Sequence, residues 1–212
     1  MTALITGASR GLGRALAIEL ARRDVHVVLV ARSGVDEVVH EIEQQGGKAS
    51  GITADVAGDA ARIAGEATGL AGPIDVVFHN ASTLGPTPLR ALLQTEAGDL
   101  QRVLDVNLLA PFRLTQLLAG PMSLRGRGTV VFISSDAAVE AYPTWGAYSI
   151  SKAAGAHLMR IWAKEVPSVR FLSIDPGEMD TAMHAAAMPD ADRTVLQQPE
   201  EVARQIALEV YP

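Results

Sequence analysis

"TALITGASRGLGRALAIEL", residues 2–20, decides the fold. Its first five residues make a short, largely apolar run of the kind buried inside a sheet. Three glycines follow at 7, 11 and 13, and then Leu12, Ala15, Leu16, Leu20 and Ala21 recur at helical spacing. Strand, glycine turn and helix in that order open a βα unit. The glycines permit a tight turn and close backbone approach, which turns amide donors and a helix N-terminus toward any pyrophosphate placed there. The spacing is GxxxGxG and not GxGxxG, and no Lys-Ser/Thr pair follows as in a P-loop. On the glycines alone, an ordinary tight strand-to-helix turn is the competing reading.

The same alternation continues along the chain. Strand-like runs stand at 2–6, 26–31, 49–54, 74–79, 129–134 and 169–174, separated by helical patterns at 11–23, 35–45, 59–69, 96–119 and 147–165, with a last one at 200–209. Gly46-Gly47, Gly72-Pro73 and Gly126-Arg127-Gly128 each fall just before a strand, where a helix must stop. Strands alternating with helices imply an α/β fold: a doubly wound, Rossmann-type parallel sheet, here of six strands, with helices on both faces. At 212 residues, with no linker or internal repeat, a single domain over 1–212 is expected.

Composition narrows the function. Apolar residues make up 48% and charged residues 20%, as in a well-buried globular protein. The net charge of −6, from 18 basic and 24 acidic residues, argues against a nucleic-acid partner. No apolar run approaches the roughly 18 residues of a membrane span and no signal-peptide pattern opens the chain, so no membrane association and a cytoplasmic location are expected. There is no cysteine, and the five histidines show no metal-ligand spacing, so no catalytic metal is expected. Charge is unevenly spread: residues 1–32 hold Arg10, Arg14, Arg22, Arg23 and Arg32 against Glu19 and Asp24, a local +3.

Ligands of an open α/β sheet bind beyond the carboxyl ends of its strands. After the second strand, where an NAD site offers an acid to the ribose, this chain has Arg32. Arg32 and Arg10 suit a 2′-phosphate, which favours NADP(H) over NAD(H); the alternative is that both merely extend into solvent. The third strand leads to Asp55-Val56, with Asp55 placed to accept from an adenine amino group, and the fourth to His79-Asn80-Ala81-Ser82, where small residues leave room for adenosine. Asn107 shares a helical face with Leu100, Val103, Leu104, Leu108 and Pro111, and is either a structural pin or part of a polar site.

The fifth strand ends at Ser134-Ser135, and "YSISK" (148–152) follows. Tyr148 and Lys152, at i and i+4, share one helix face. A free tyrosine titrates near pH ~10. An ammonium beside it, together with an oxidised nicotinamide ring, lowers that value and makes the phenol a usable acid/base. Ser135 is placed to donate a hydrogen bond to a substrate carbonyl.

Taken together, Thr6-Gly7-x-x-x-Gly11-x-Gly13, Asp55, Asn80-Ala81, Asn107, Ser135, Tyr148-x-x-x-Lys152 and Pro176-Gly177-x-x-x-Thr181 resemble the short-chain dehydrogenase/reductase family, in its compact branch, over nearly the whole chain. The stretch from Ser135 through Pro143 and Trp145 is also similar, weakly, to sepiapterin-reductase-like members. The resemblance implies carbonyl–alcohol interconversion on a small molecule by hydride transfer with NADP(H). It implies Tyr148 as proton donor or acceptor, Lys152 on the nicotinamide ribose, Ser135 on the substrate carbonyl and Asn107 on a water linked to Lys152. Cofactor contacts are implied for Gly7, Ser9, Arg10, Gly11, Leu12, Gly13, Arg32, Asp55, Val56, Asn80, Ala81, Tyr148 and Lys152. Pro176, Gly177 and Thr181 are implied to border the carboxamide. The motif "HNAS" at 79–82 departs from the family's "NNAG".

A substrate loop at about 178–198 and "DAAVEAYPTW" (136–145) are expected to line the pocket. A non-catalytic dinucleotide sensor with the same fold is the alternative function, disfavoured by the intact Asn-Ser-Tyr-Lys set. An epimerase or dehydratase needs a longer chain. Family members usually add a seventh strand after the last helix, whereas this sequence stops at Pro212. The sixth strand is therefore expected at a sheet edge, the pocket comparatively open, and the protein a homodimer built through the helices at 96–119 and 147–165.

Overall fold

Six strands form one parallel sheet in the computed structural model of the protein, which describes residues 1–211. They are Thr2–Thr6 (β1), His26–Ala31 (β2), Ala49–Thr53 (β3), Val76–His79 (β4), Thr129–Ile133 (β5) and Arg170–Ile174 (β6), in the order β3-β2-β1-β4-β5-β6. The helices are Gly11–Ala21 (α1), Val35–Gln44 (α2), Ala60–Ala71 (α3), Ala97–Leu104 (α4), Ala110–Leu124 (α5), Gly146–Glu165 (α6), Ala182–Ala187 (α7) and Pro199–Val210 (α8). Pro212, the last residue of the expected span, lies outside the described residues.

Strand period and helix stripe together make two cores. Ala3 and Ile5 of β1 face α1, α2 and α8, meeting Leu16, Leu20, Val38, Ile42, Val202 and Ile206. Leu4, between them, faces the other way into a cluster with Ile63, Leu114, Leu118 and Met159 from α3, α5 and α6. Successive strand side chains point to opposite faces, so a strand covered on both must be apolar at every position. All five residues of β1 are buried.

Strand order reverses beside β1: the chain runs outward to β2 and β3, then crosses to β4 on the other flank. The crevice beyond the carboxyl ends of β1 and β4 is the switch point at which this architecture holds ligands. β3 and β6 are the sheet's edges among the described residues, and β6 is partly exposed along its length.

Two elements differ from the sequence reading. The helix expected over 96–119 is broken by a π turn at Asp105–Leu109 and runs on to Leu124. Pro111 has no N–H for the carbonyl of Asn107 four residues back, and its ring crowds that carbonyl, so the ladder widens there. Gly120-Pro121 does not end the helix; the chain turns instead at Gly126, with φ +69°. The segment 178–198, expected as a loop, is organised. It contains α7 and a 3-10 turn at Arg193–Val195, and it closes on itself through a parallel bridge of Met179 with Gln197. The Asp180 N–H donates to the Gln197 carbonyl at 2.9 Å, and Arg193 pairs with Asp180 at 2.6 Å.

Candidate active site

The glycine loop is shaped from beneath by Asn80. Its Nδ2 donates to the Thr6 and Gly7 carbonyls at 2.9 and 3.1 Å. The Thr6 hydroxyl accepts from the backbone N–H groups of Asn80 and Ala81 and donates to the Phe78 carbonyl. The ends of β1 and β4 are thereby tied together, and the loop has no room for a side chain at Gly7 or Gly13. A Cβ on Gly7, whose φ is +67°, would lie 2.8 Å from Ala81 Cα. One on Gly13 would lie 2.3 Å from the Gly7 carbonyl oxygen. Leu12 packs into the core behind the loop.

Ser9 sits against the β2–α2 turn, its Cβ 3.4 Å from where Gly34 would carry one. This brings Arg10 and Arg32 onto neighbouring turns, both exposed. The local positive charge then resolves residue by residue. Arg14 pairs with Glu41 at 2.6 Å, Arg23 with Glu19 at 2.9 Å, and Arg22 donates to Gln45. Arg10 and Arg32 make no side-chain hydrogen bond or ion pair among the described residues.

Asp55 uses one carboxylate oxygen to accept from the Ala57 N–H at 3.0 Å, which closes the turn after β3, and Val56 is buried beside it. His79 does not reach the surface: it is buried, its Nε2 is 2.8 Å from Thr115 Oγ1, and burial pushes its pKa down to about 3. The departure "HNAS" therefore changes the packing below the site, where a neutral imidazole is held. Pro176 is half-buried beyond β6, the Gly177 N–H is capped by Asp175, and Thr181 Cγ2 approaches Gly11 across the crevice.

Asn107 is buried on the π turn and fully engaged. Its Oδ1 accepts from the Thr83 N–H at 2.8 Å, and its Nδ2 donates to the Thr83 carbonyl and to Ser151 Oγ, both at 2.9 Å. Ser151 in turn donates to the Tyr148 carbonyl at 2.7 Å. Asn107 thus pins the β4–α4 connection to α6 at the turn that carries Tyr148 and Lys152. Ser151 was not singled out by the sequence reading; its signal was a hydroxyl residue on the same helix as Tyr148, three positions on.

Tyr148 is 8% exposed and packs with Leu84 and Ala137. The expected tuning joins the lysine to an oxidised nicotinamide ring; among the protein's own groups, burial dominates the phenol. Burial pushes its pKa up to about 12, and Asp136 and Asp175 add to that. The Ser135 and Ser82 hydroxyls act in the opposite direction, although neither meets the phenol with full hydrogen-bond geometry. Lys152 does not lower it here. Its Nζ donates to the Ile133 carbonyl at 2.6 Å, 5.4 Å from the centre of the tyrosine ring, and complete burial brings its own pKa down to about 7. A lysine titrating there is a weak source of positive charge at neutral pH.

The Ser135 hydroxyl is engaged within the chain. It donates to Asp136 Oδ1 at 2.8 Å and accepts from the Ala137 N–H at 3.2 Å, so its single proton is already committed. Asp136 is held in turn by the Ala137 N–H at 2.7 Å and by the Tyr142 hydroxyl at 2.8 Å. Tyr142, Trp145 and Tyr148 follow one another edge to face, with centroids 6.5 and 5.7 Å apart. Asp136 was quoted in the sequence reading only as part of the pocket-lining stretch.

A phenol, an amine and a hydroxyl thus meet beside a backbone cradle at the switch point of a doubly wound sheet. Comparison with known proteins yields the same picture. The family model described as short chain dehydrogenase matches residues 1–192. The 7alpha-hydroxysteroid dehydrogenase of Escherichia coli (strain K12) is 31% identical over 216 residues, covering 95% of this chain and 83% of that protein. Sepiapterin reductase of Chlorobaculum tepidum is 31% identical over 214 residues, covering 94% and 86%. Among solved structures, the alcohol dehydrogenase from the archaeon Thermococcus sibiricus complexed with 5-hydroxy-NADP superposes with a TM-score of 0.89 at 30% identity, covering all of this chain and 91% of that one. Other structures of this kind hold NADP and, in one case, NADH. With the motif residues gathered at one crevice and the match running through all six strands, the chain belongs to the short-chain dehydrogenase/reductase family.

Proposed function

We propose that this protein is an NADP(H)-dependent oxidoreductase that interconverts a carbonyl and an alcohol on a small molecule, with Tyr148 as the proton donor or acceptor. The observation that carries this reading is the convergence of Tyr148, Lys152 and Ser135, from α6 and the end of β5, on the crevice lined by Gly7, Gly11 and Gly13. The residues present fit a dinucleotide. A Cβ on Gly7 or Gly13 would collide with Ala81, Asn80 or the Gly7 carbonyl, so glycine at both positions keeps the loop down against the end of β4 and leaves its backbone free for close approach by a phosphate. Arg10 and Arg32 stand unengaged where a 2′-phosphate would lie, and no acid follows β2 to meet a 2′-hydroxyl in their place.

In this reading Gly7, Ser9, Arg10, Gly11, Leu12 and Gly13 hold the phosphates and Arg32 the 2′-phosphate. Asp55, Val56, Asn80 and Ala81 surround the adenosine, and Pro176, Gly177 and Thr181 flank the nicotinamide. The bound dinucleotide supplies or takes up the hydride. Tyr148 moves the proton at the substrate oxygen. Lys152 leaves the Ile133 carbonyl for the ribose hydroxyls, and as an ammonium it then favours the phenolate that burial disfavours. Asn107 fixes α6 at this register through Ser151. Ser135 donates to the substrate oxygen once it exchanges its bond to Asp136.

The same reading makes the protein a cytoplasmic homodimer in which Leu117 on α5 and Ile150 and Ile161 on α6, all exposed, are covered by a second copy. No helix among the described residues is long and apolar enough to cross a membrane. The testing experiment is oxidation of NADPH, with NADH in parallel, against a panel of aldehydes, ketones and diketones. Turnover with NADPH is expected. Tight NADPH binding with no turnover on any carbonyl would instead support a dinucleotide sensor.

A further inference from the structure

α7 lies across the mouth of the crevice, and its two ends show what lies beneath it. At its start, Thr181 Cγ2 is 3.5 Å from the position of a Cβ on Gly11, so the cap rests on the glycine loop. At its far end, Ala187 packs against the cluster of Leu84, Ala137 and Tyr148. Residues three and four apart share a helix face. Burial agrees with that periodicity: Thr181, His184, Ala185 and Ala187 are half-buried, whereas Ala182, Met183, Ala186 and Met188 are exposed. His184 therefore stands on the underside of α7, midway between the glycine loop and Tyr148.

Its imidazole is unprovided for. The side chain is 12% exposed, and neither Nδ1 nor Nε2 has a hydrogen-bond partner among the described residues. Glu178 Oε1 is 3.7 Å from Nε2, beyond hydrogen-bond reach, on a side chain that is 66% exposed. Of the other charged groups of this segment, Asp180 and Arg193 are engaged with each other, Asp192 accepts from Thr194, and Asp190 forms no ion pair with His184. Buried polar groups in native proteins are nearly always paired, and an orphan calls for a missing partner. A neutral imidazole carries one N–H and one acceptor nitrogen, and an imidazolium two N–H groups, so in either form at least one missing partner is an acceptor.

We propose that His184 is a cofactor-binding residue whose ring N–H donates to the diphosphate of the bound dinucleotide, fastening α7 over it. The inference rests on the dinucleotide reading above and adds to it a contact that the motif does not contain. A diphosphate supplies the acceptors that this position lacks, and it must pass between the glycine loop and the nicotinamide end near Tyr148, which is where α7 places the ring. Nothing covalent changes; a ring N–H that has no partner within the protein gains a phosphate oxygen as its acceptor, and that oxygen gives up a hydrogen bond to water.

The test is direct titration of the whole chain with NADPH in the absence of substrate, following Kd for wild type, His184→Ala and His184→Gln, with melting curves to confirm folding. Adenosine 2′-monophosphate, which has the 2′-phosphate but no diphosphate, is the second probe. Loss of a hydrogen bond to a charged group predicts that His184→Ala weakens NADPH by roughly tenfold to a hundredfold. His184→Gln should recover part of this through its amide N–H, and both variants should bind adenosine 2′-monophosphate as wild type does. An NADPH Kd within twofold of wild type in the alanine variant overturns the inference. So does equal weakening of both probes, and so does a change confined to the KM of the carbonyl substrate. If wild type binds no nicotinamide dinucleotide at all, the functional reading fails and this inference falls with it.

Discussion

Adding one methyl group at Gly13 should disable the glycine loop. The Cβ of Gly13→Ala would lie 2.3 Å from the Gly7 carbonyl oxygen and 2.5 Å from Asn80 Nδ2, against an ordinary contact of 3.4 Å or more. The overlaps are about 1.1 and 0.9 Å, and neither neighbour is a flexible chain end. Gly7 is backbone in a left-handed turn, and the Asn80 amide is anchored to the Thr6 and Gly7 carbonyls. Relief requires the loop to lift from α1 by about 1 Å, which breaks those two bonds. Overpacking costs ~1–3 kcal/mol and each hydrogen bond ~1 kcal/mol, so a loss of about 3–5 kcal/mol is expected. For a chain of this size that lowers Tm by roughly 6–20 °C. The assay is thermal unfolding followed by circular dichroism, together with NADPH titration well below the transition, where at least a tenfold weakening is expected. Gly69→Ala, on α3 with nothing within 4 Å of the added Cβ, is the control and should be neutral or slightly stabilising. A Tm within 2 °C of wild type with unchanged Kd would refute the reasoning.

Three further perturbations separate the roles assigned above. Tyr148→Phe should lower kcat by about 10²–10⁴-fold while the NADPH Kd stays near wild type, because only the acid/base hydroxyl is lost; substantial turnover by this variant in steady-state assays would remove the proton-transfer role. Arg32→Asp should weaken NADPH by roughly tenfold to a hundredfold and spare NADH, since one phosphate partner is replaced by a repelling charge; equal Kd values for the two dinucleotides in wild type would end the 2′-phosphate argument. Lys152→Met should abolish activity yet stabilise the free protein. Burial lowers the folded pKa of Lys152 to about 7, so the unfolded chain binds more protons between there and 10.5, and wild-type stability rises with pH across that window. The variant should be more stable by ~5 kcal/mol below pH 7, with the gap closing toward pH 10.5, as measured by urea unfolding across pH 6–10; a gap that does not vary with pH would refute the assignment.

What the sequence made legible was whatever repeats locally. Strands covered on both faces must be apolar throughout, so β1, β2, β4 and β5 stood out as runs, and the glycine cluster marked a turn where, at Gly7 and Gly13, neighbouring groups approach too closely for a side chain. Tyr148 and Lys152 were visible as a pair because helix geometry fixes i and i+4 on one face. What was hidden depends on contacts between distant segments. The π turn at Asp105–Leu109 was foreshadowed by Pro111, yet the pinning of Asn107 to Ser151 and Thr83 requires α6 and the β4–α4 connection to meet. The order within residues 178–198 comes from a bridge between positions eighteen apart, which no local period announces.

The protonation state of the site was hidden for a further reason: spacing gives proximity but not burial. From Tyr148 and Lys152 at one helix turn, a charged lysine lowering a phenol is the natural inference. The fold places both in a site so dry that desolvation outweighs their proximity, and it drives the tyrosine up to about 12 and the lysine down to about 7. The phenol is then neutral, the lysine is divided between amine and ammonium near pH 7, and Ser135 donates its hydroxyl proton in a hydrogen bond to Asp136. The free chain is consequently set for binding before it is set for proton transfer. The ribose hydroxyls that the proposed function places on Lys152 would supply acceptors that burial has removed, restoring the ammonium and with it the pull on Tyr148. Under the proposed function, a phenol tuned in this way would give and take protons only where hydride is also at hand.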